Sequence, residues 1–538
     1  MSIHKIRSLK KLLPKSRLQV VEAAKRTLTE YLHSTRALPF VVAENLSNNS
    51  TASILSLISR VPFNSSSDFS STFEKFFRYN PVNEMEFFYE SVGIDVDEGK
   101  SISPSKGIFL SENMRVLEAA CELYAFGFPW NKLGILFKEK NCIFEQSRDD
   151  LVSKLNRFDD YGFERDYVVG MCLAIPIILT GEFSEEDVDL AFQDLKSLSS
   201  NCSCECFVES NIDSCHELFK KIKVFYDLGC EKGKVGEFFC KSKRLCSSSP
   251  VETLVEKAEY LCRFDVSKQE AGLLILERSE NMEFDLENGI FSVWEILHHF
   301  GMENQKLKFY SEKFPHVFGR NRISNFPNAM KAMDLSQWFF HKLKHGNEFL
   351  LSSYKLSDYD NHMEIEFENN LQKIQDSSFS NLKMNKIAFM QELGFGRNPL
   401  TIPLSGRIHG TNKKLRERFH FLLGAGLDYS KLLFMIITAP KIMNIDPKIL
   451  EKKLDFLYTK LGASVADLYE FPAFLSYGLE RIIPRYEFLE WFSDKGFTCK
   501  YLETIEGVVA TSEKRFIKRI YRIYPPAAKH YLEGFKIK

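Results

Sequence analysis

Arg515, Lys518, Arg519 and Arg522 fall at i, i+3, i+4 and i+7. In a helix over 512–524 this spacing puts all four on one face roughly 100° wide. Phe516, Ile520 and Ile523 repeat at the same spacing on a different face, where they can pack against the preceding elements. Four like charges along one stripe repel one another, so helix stability does not explain the arrangement. A polyanion facing the stripe does. The other reading is a solvated helix end, where Lys and Arg complement the helix dipole.

Catalytic spacings are missing elsewhere. GCEKGKV at 229–235 resembles a phosphate loop, but it is one residue short and ends in Val235 where a magnesium-binding Ser or Thr belongs. Gly394 and Gly396 do not complete a dinucleotide fingerprint, and neither HExxH nor GxSxG occurs. His298 and His299 lie in an apolar stretch and read as packed or partly exposed rings. Cys202, Cys204, Cys206 and Cys215 beside His216 form the one cysteine cluster, but C-x-C-x-C lacks the spacing of zinc pairs. The expectation is therefore no enzyme, no cofactor and no metal.

Charge is uneven along the chain. The formal total over 538 residues is −1. Residues 380–538 hold 26 Lys and Arg against 16 Asp and Glu, while residues 22–379 hold 39 against 56. A basic end on an acidic body suits a polyanion surface at the C-terminal end; long solvated side chains on a helical array account for it equally well. The first 21 residues carry six Lys or Arg and no acid, with serines interleaved, which is the chemistry of an organelle transit peptide; a solvated basic tail on a cytosolic or nuclear protein is the other reading. No uninterrupted apolar stretch reaches 18 residues, so no membrane span is expected.

The elements that must hold the basic stripe are repeats. Glycines recur about every 34 residues, at Gly93, Gly127, Gly162, Gly229, Gly301, Gly394, Gly426, Gly462 and Gly496. A proline follows 14 residues later in Gly162–Pro176, Gly301–Pro315 and Gly426–Pro440. Between Asp446 and Gly462, an N-cap and Pro447 open a helix whose Leu450, Leu454, Leu457 and Leu461 share one face. Ser464 caps a second helix that ends near Pro472, and Pro484 is expected to open the next. Such a helix–turn–helix unit buries its apolar face only against stacked neighbours. The register is interrupted near Leu198, Phe264-Asp265 stands where a glycine is expected, and Gly346 is a candidate marker between Gly301 and Gly394.

Residues Leu422 to Arg485, LLGAGLDYSKLLFMIITAPKIMNIDPKILEKKLDFLYTKLGASVADLYEFPAFLSYGLERIIPR, resemble the mitochondrial transcription termination factor (mTERF) family. The helix ending in leucine-glycine, the AP-K-I and FPAFL turns and the closing LSYGLERIIPR phrase carry the likeness, and GFERDYVVGMCLAIPIIL from Gly162 repeats it. The N-terminal phrase LTEYLHSTRALPF…FRYNPVNEMEFFYESVGI is similar to one group of plant organellar members. The resemblance implies an all-α helical-repeat solenoid, a left-handed superhelix whose basic groove holds double-stranded nucleic acid. It implies a regulator of organellar transcription with duplex DNA as the preferred partner and RNA as the second, working with organellar transcription or ribosome-associated proteins. The compartment implied is the mitochondrion, with the chloroplast as alternative. A helical scaffold binding protein partners through the acidic body is the competing reading.

Arg481 and Arg485 lie in the matching closing phrase and become candidate phosphate contacts, with Arg481 alternatively a structural partner of a nearby Glu. Lys413, Lys414, Arg416 and Arg418 form a second basic cluster before Phe419. The expected organisation is 1–40 transit and N-terminal segment, 41–105 N-terminal helical region, 106–350 degenerate repeats, 351–385 polar excursion or hinge, and 386–538 basic repeats.

Overall fold

The computed structural model describes residues 14–61, 69–95, 97–99, 108–201, 211–242, 245, 250–279, 284–347, 351–357, 362–376, 380–498, 500 and 504–535. Lys5, Arg7, Lys10 and Lys11 of the acid-free segment, and Cys202, Cys204 and Cys206, lie outside these residues. The chain divides into two compact units, residues 1–255 and 256–538. Both are built almost wholly from helices.

The repeat follows from backbone stereochemistry. All nine repeat glycines have φ between +60° and +129°, the region where a side chain is strained. A ten-residue helix then starts three residues after the marker, as in Arg165–Ala174, Asn304–Lys313 and Tyr429–Thr438. Proline disfavours helical backbone in the residue before it. Ile175, Ala439 and Phe471, each before a proline, accordingly leave the helix at φ −126°, −131° and −129°. The proline opens a 3₁₀ turn, where its missing N–H has no cost: Pro176–Leu179, Pro440–Asn444 and Pro472–Ser476.

Two aspartates complete the register. Asp265 has φ +61° and Asp334 has φ +59°, so both take the left-handed place of a glycine. Aspartate tolerates that region better than most residues. Lys268–Glu277 follows Asp265 by the same three-residue offset and opens with a Ser267–Glu270 capping box. Gly346, by contrast, caps Ser336–His345 at φ −81° in extended backbone, so Asp334, not Gly346, is the marker after Gly301.

The repeat from Asp446 to Gly462 forms as expected at its start. Asp446 accepts the Lys448 N–H at 3.0 Å, and Leu450, Leu454 and Leu457 are buried, with Leu461 half-buried. Pro447–Asp455 runs on into a π turn, Phe456–Lys460, before Gly462. Ser464 caps Val465–Glu470 in a capping box with Asp467. The next helix opens earlier than expected: it spans Leu479–Asp494 and Pro484 lies inside it.

The stretch expected to be a polar excursion contains a helix, His362–Gln375. Its Phe367 and Leu371 pack with Ile387, and Glu364 pairs with Arg320 at 2.8 Å. Among the described residues the all-helical pattern is broken by one short antiparallel pair, Ile290–Ser292 with Arg320–Arg322. Near the C-terminus the core is aromatic: Phe488 meets Phe492 at 5.5 Å, Phe516 at 6.2 Å and Tyr531 at 5.2 Å between ring centroids.

Candidate nucleic-acid interface

Glu513–Ile523 forms the expected basic helix, with Phe516 and Ile520 fully buried on its inner face. Ile523, expected beside them, is 39% exposed because the helix ends there. Arg515, Lys518 and Arg522 are exposed, and so is Lys514. None of these four side chains has an ion-pair or hydrogen-bond partner among the described residues. Arg519, the fourth residue of the stripe, instead donates from Nη1 to Thr511 Oγ1 at 2.9 Å.

Thr511 is the point on which three arginines converge. Its carbonyl accepts Arg481 Nη2 at 2.6 Å and Arg485 Nη1 at 2.8 Å. Arg485 also donates from Nη1 to Val508 O at 2.6 Å and from Nη2 to Glu513 Oε2 at 2.5 Å, and its guanidinium lies 4.7 Å from the Phe516 ring centroid. Arg485 is fully buried. It is therefore withdrawn from any surface a phosphate could reach, and pairs with the acid Glu513 instead. Arg481 is half-buried, also lies over Tyr477, and keeps its Nε buried without a partner. Together these arginines anchor the loop that launches the basic helix.

The second cluster divides in the same way. Lys413 and Lys414 are exposed on Asn412–Gly424. Arg416 is bound in a fork to Glu392, Nε to Oε2 at 2.9 Å and Nη2 to Oε1 at 2.5 Å. Arg418 is half-buried, and its Nη1 donates to His409 O at 2.8 Å and Met443 O at 2.7 Å.

Arg418 is one case of a device built into the repeat. Lys154, Lys221 and Arg418 each stand eight residues before a repeat glycine. They donate to Leu179 O at 3.2 Å, Leu245 O at 3.2 Å and Met443 O at 2.7 Å. Lys453, nine before Gly462, donates to Leu475 O at 2.6 Å. Leu179, Met443 and Leu475 occupy the last or next-to-last position of 3₁₀ turns, whose final carbonyls lack intrahelical partners and carry the negative end of the dipole. A buried or half-buried cation satisfies them. Burial holds the Lys453 ammonium below the usual lysine range. Much of the basic character of the repeats thus serves the fold.

The loop resembling a phosphate site is occupied by a carboxylate. Asp194, fully buried, accepts the N–H of Gly233 at 2.8 Å and of Gly236 at 2.7 Å, and the Tyr226 hydroxyl at 2.6 Å. Burial pushes its pKa up against those hydrogen bonds. Of the cysteine cluster, Cys215 and His216 are buried, and the described residues bring together no group of three metal-ligating side chains. His299 packs edge-on against Phe300 and Tyr354.

A model of the mTERF family matches residues 196–326 and 372–517. Over 515 residues, 95% of this chain and 92% of the relative, the sequence is 42% identical to "Transcription termination factor MTEF18, mitochondrial" of Arabidopsis thaliana. The chain belongs to the mTERF family. Shorter matches reach "Transcription termination factor MTERF8, chloroplastic" of Arabidopsis thaliana, at 30% identity over 137 residues (25% of this chain, 26% of the relative), and "Transcription termination factor MTERF4, chloroplastic" of Oryza sativa subsp. japonica, at 27% over 105 residues (19% of each). In this mTERF chain the family match takes in Lys413, Lys414, Arg416, Arg418, Arg481, Arg485 and Arg515, and stops before Lys518, Arg519 and Arg522. Sequence reasoning missed Lys514, which neighbours Arg515 on the exposed surface, and Thr511, whose role is visible only once the arginines fold onto it. Among the described residues no helix is long and apolar enough to cross a membrane.

Proposed function

We propose that this mTERF chain binds nucleic acid in an organelle and regulates transcription there, acting by binding and not by catalysis. The carrying observation is the Glu513–Ile523 helix, which presents Lys514, Arg515, Lys518 and Arg522 to solvent without internal partners while other arginines of the region are consumed by the fold. Phosphates are the chemistry such a face fits. Lys413 and Lys414 supply a second exposed pair. Duplex DNA is the ligand that the family resemblance puts first, and the printed name of the relative matched along nearly its whole length supports the mitochondrion as compartment.

The test is filter binding of the full chain to duplex DNA, duplex RNA and single strands across a salt series. Replacing Arg515, Lys518 and Arg522 together with Gln should leave melting nearly unchanged. It should weaken binding and flatten the slope of log affinity against log salt by up to about 3 units, one counterion release per lost phosphate contact. Unchanged affinity and slope in a folded variant would refute this face. Failure of the wild-type chain to bind any of the three at low salt would favour the protein-scaffold reading. Residues 1–40 fused to a fluorescent protein report the compartment.

A further inference from the structure

Tyr521 is 58% exposed and sits at the edge of the same cationic surface. With 3.6 residues per turn and Lys514 as origin, Lys518 lies at about 40°, Arg522 at about 80° and Arg515 at about 100° around the helix, with Tyr521 about 20° to the other side of Lys514. The buried Phe516 and Ile520 lie at about 200° and 240° on that scale, so Tyr521 is no part of the packing face. Its neighbours in type are all engaged. Tyr524 stacks on Phe497 at 4.6 Å, and Tyr531 donates to Glu513 Oε1 at 3.0 Å. Neither the ring nor the hydroxyl of Tyr521 has a partner among the described residues.

An unpartnered ring among phosphate-binding cations has a specific use. Cations track the backbone of a strand while an aromatic face stacks on a base, and every base has a face to offer. Along the axis, Tyr521 lies about 4.5 Å beyond Lys518 and about 1.5 Å before Arg522. A strand whose phosphates meet those two cations brings its intervening base to the ring. In a closed duplex both faces of each base are covered by its neighbours, and the ring meets only sugar and phosphate. We infer that Tyr521 is a base-stacking residue, so that this helix favours unpaired nucleotides, RNA or DNA, over a closed duplex of the same length. The inference rests on the phosphate-binding reading above and narrows the ligand at this helix.

The test uses the full chain, short single-stranded RNA and DNA of one non-pairing sequence, and the closed DNA duplex of that sequence. Tyr521→Ala should weaken binding of both single strands by about 5- to 150-fold, the loss of one stacked base. It should leave duplex affinity unchanged, and the salt slope too, since no charge is removed. Tyr521→Trp should restore single-strand affinity, with indole fluorescence quenched on binding. Wild-type affinity of Tyr521→Ala for single strands overturns the inference, as does an equal loss on duplex. If Tyr521→Ala has no effect while the Arg515, Lys518 and Arg522 glutamine variant loses affinity, stacking falls and the phosphate reading stands. If the glutamine variant also binds unchanged, both fall.

Discussion

Replacing Arg485 separates a brace from a ligand contact. Its guanidinium makes three hydrogen bonds, to Val508 O, Thr511 O and Glu513 Oε2, from a fully buried position over the Phe516 ring. A hydrogen bond to a charged group contributes about 1.5–3 kcal/mol net, but these three are not additive. After Arg485→Ala, Thr511 O keeps Arg481, and Glu513, whose side chain is 35% exposed, keeps Tyr531 and water. Val508 O loses its side-chain donor, and the space left by the side chain adds a cavity cost. The expected destabilisation is about 2–5 kcal/mol, from the cavity and the orphaned Val508 carbonyl. Arg485→Lys keeps the charge but replaces the fork with a single ammonium, and should cost about half as much. Thermal melting gives the global effect. Amide exchange over residues 505–523 gives the local one, because the loop and helix lose their anchor first. If Arg485 met phosphate instead, alanine would lower affinity and leave exchange protection intact. A stability loss below about 1 kcal/mol with unchanged protection would refute the brace.

Leu454, 4% exposed in the middle of its helical face, should cost roughly 2–5 kcal/mol on truncation to alanine; a loss under about 0.5 kcal/mol in urea unfolding would mean the face is misassigned. His216 supplies a pH signature. Burial, helped by Lys220 and opposed by Glu217, lowers its pKa from 6.5 to about 4. Between those values the unfolded chain binds the proton and the folded chain does not. Its contribution is therefore intact above pH 6.5 and is lost as pH falls toward 4, by up to about 3 kcal/mol. His216→Phe should remove that part of the acid sensitivity, and an unaltered pH dependence of the urea midpoint would show that the imidazole titrates freely.

Local chemistry wrote the repeat plainly. Glycine is the residue that reaches left-handed backbone without strain, and proline cannot continue a helix, so their spacing marks helix ends before any contact is known. Asp265 could be placed for the same reason, as the residue standing where the period demanded a turn; Asp334 could not, because Gly346 offered a more conventional marker nearby. The amphipathic division of Glu513–Ile523 was equally legible, since Phe516 and Ile520 repeat at helical spacing opposite the cations. Pro484 misled because a proline at a helix start and one inside the early turns look alike in sequence.

What a given cation does was decided by tertiary structure alone. Arg485 and Arg515 are the same residue type in neighbouring helices, yet one is fully buried and the other faces solvent. Their difference lies in carbonyls and carboxylates contributed from 23 to 28 residues away. The same holds for Arg418 against Lys413, and for Asp194, which fills from 39 and 42 residues away a loop that looked open to phosphate. A helix's periodicity fixes which side chains share a face. Whether a charge on that face is spent on an orphaned carbonyl or left to meet a ligand depends on which backbone groups the packing of successive repeats leaves unsatisfied, and that is a property of the assembled fold.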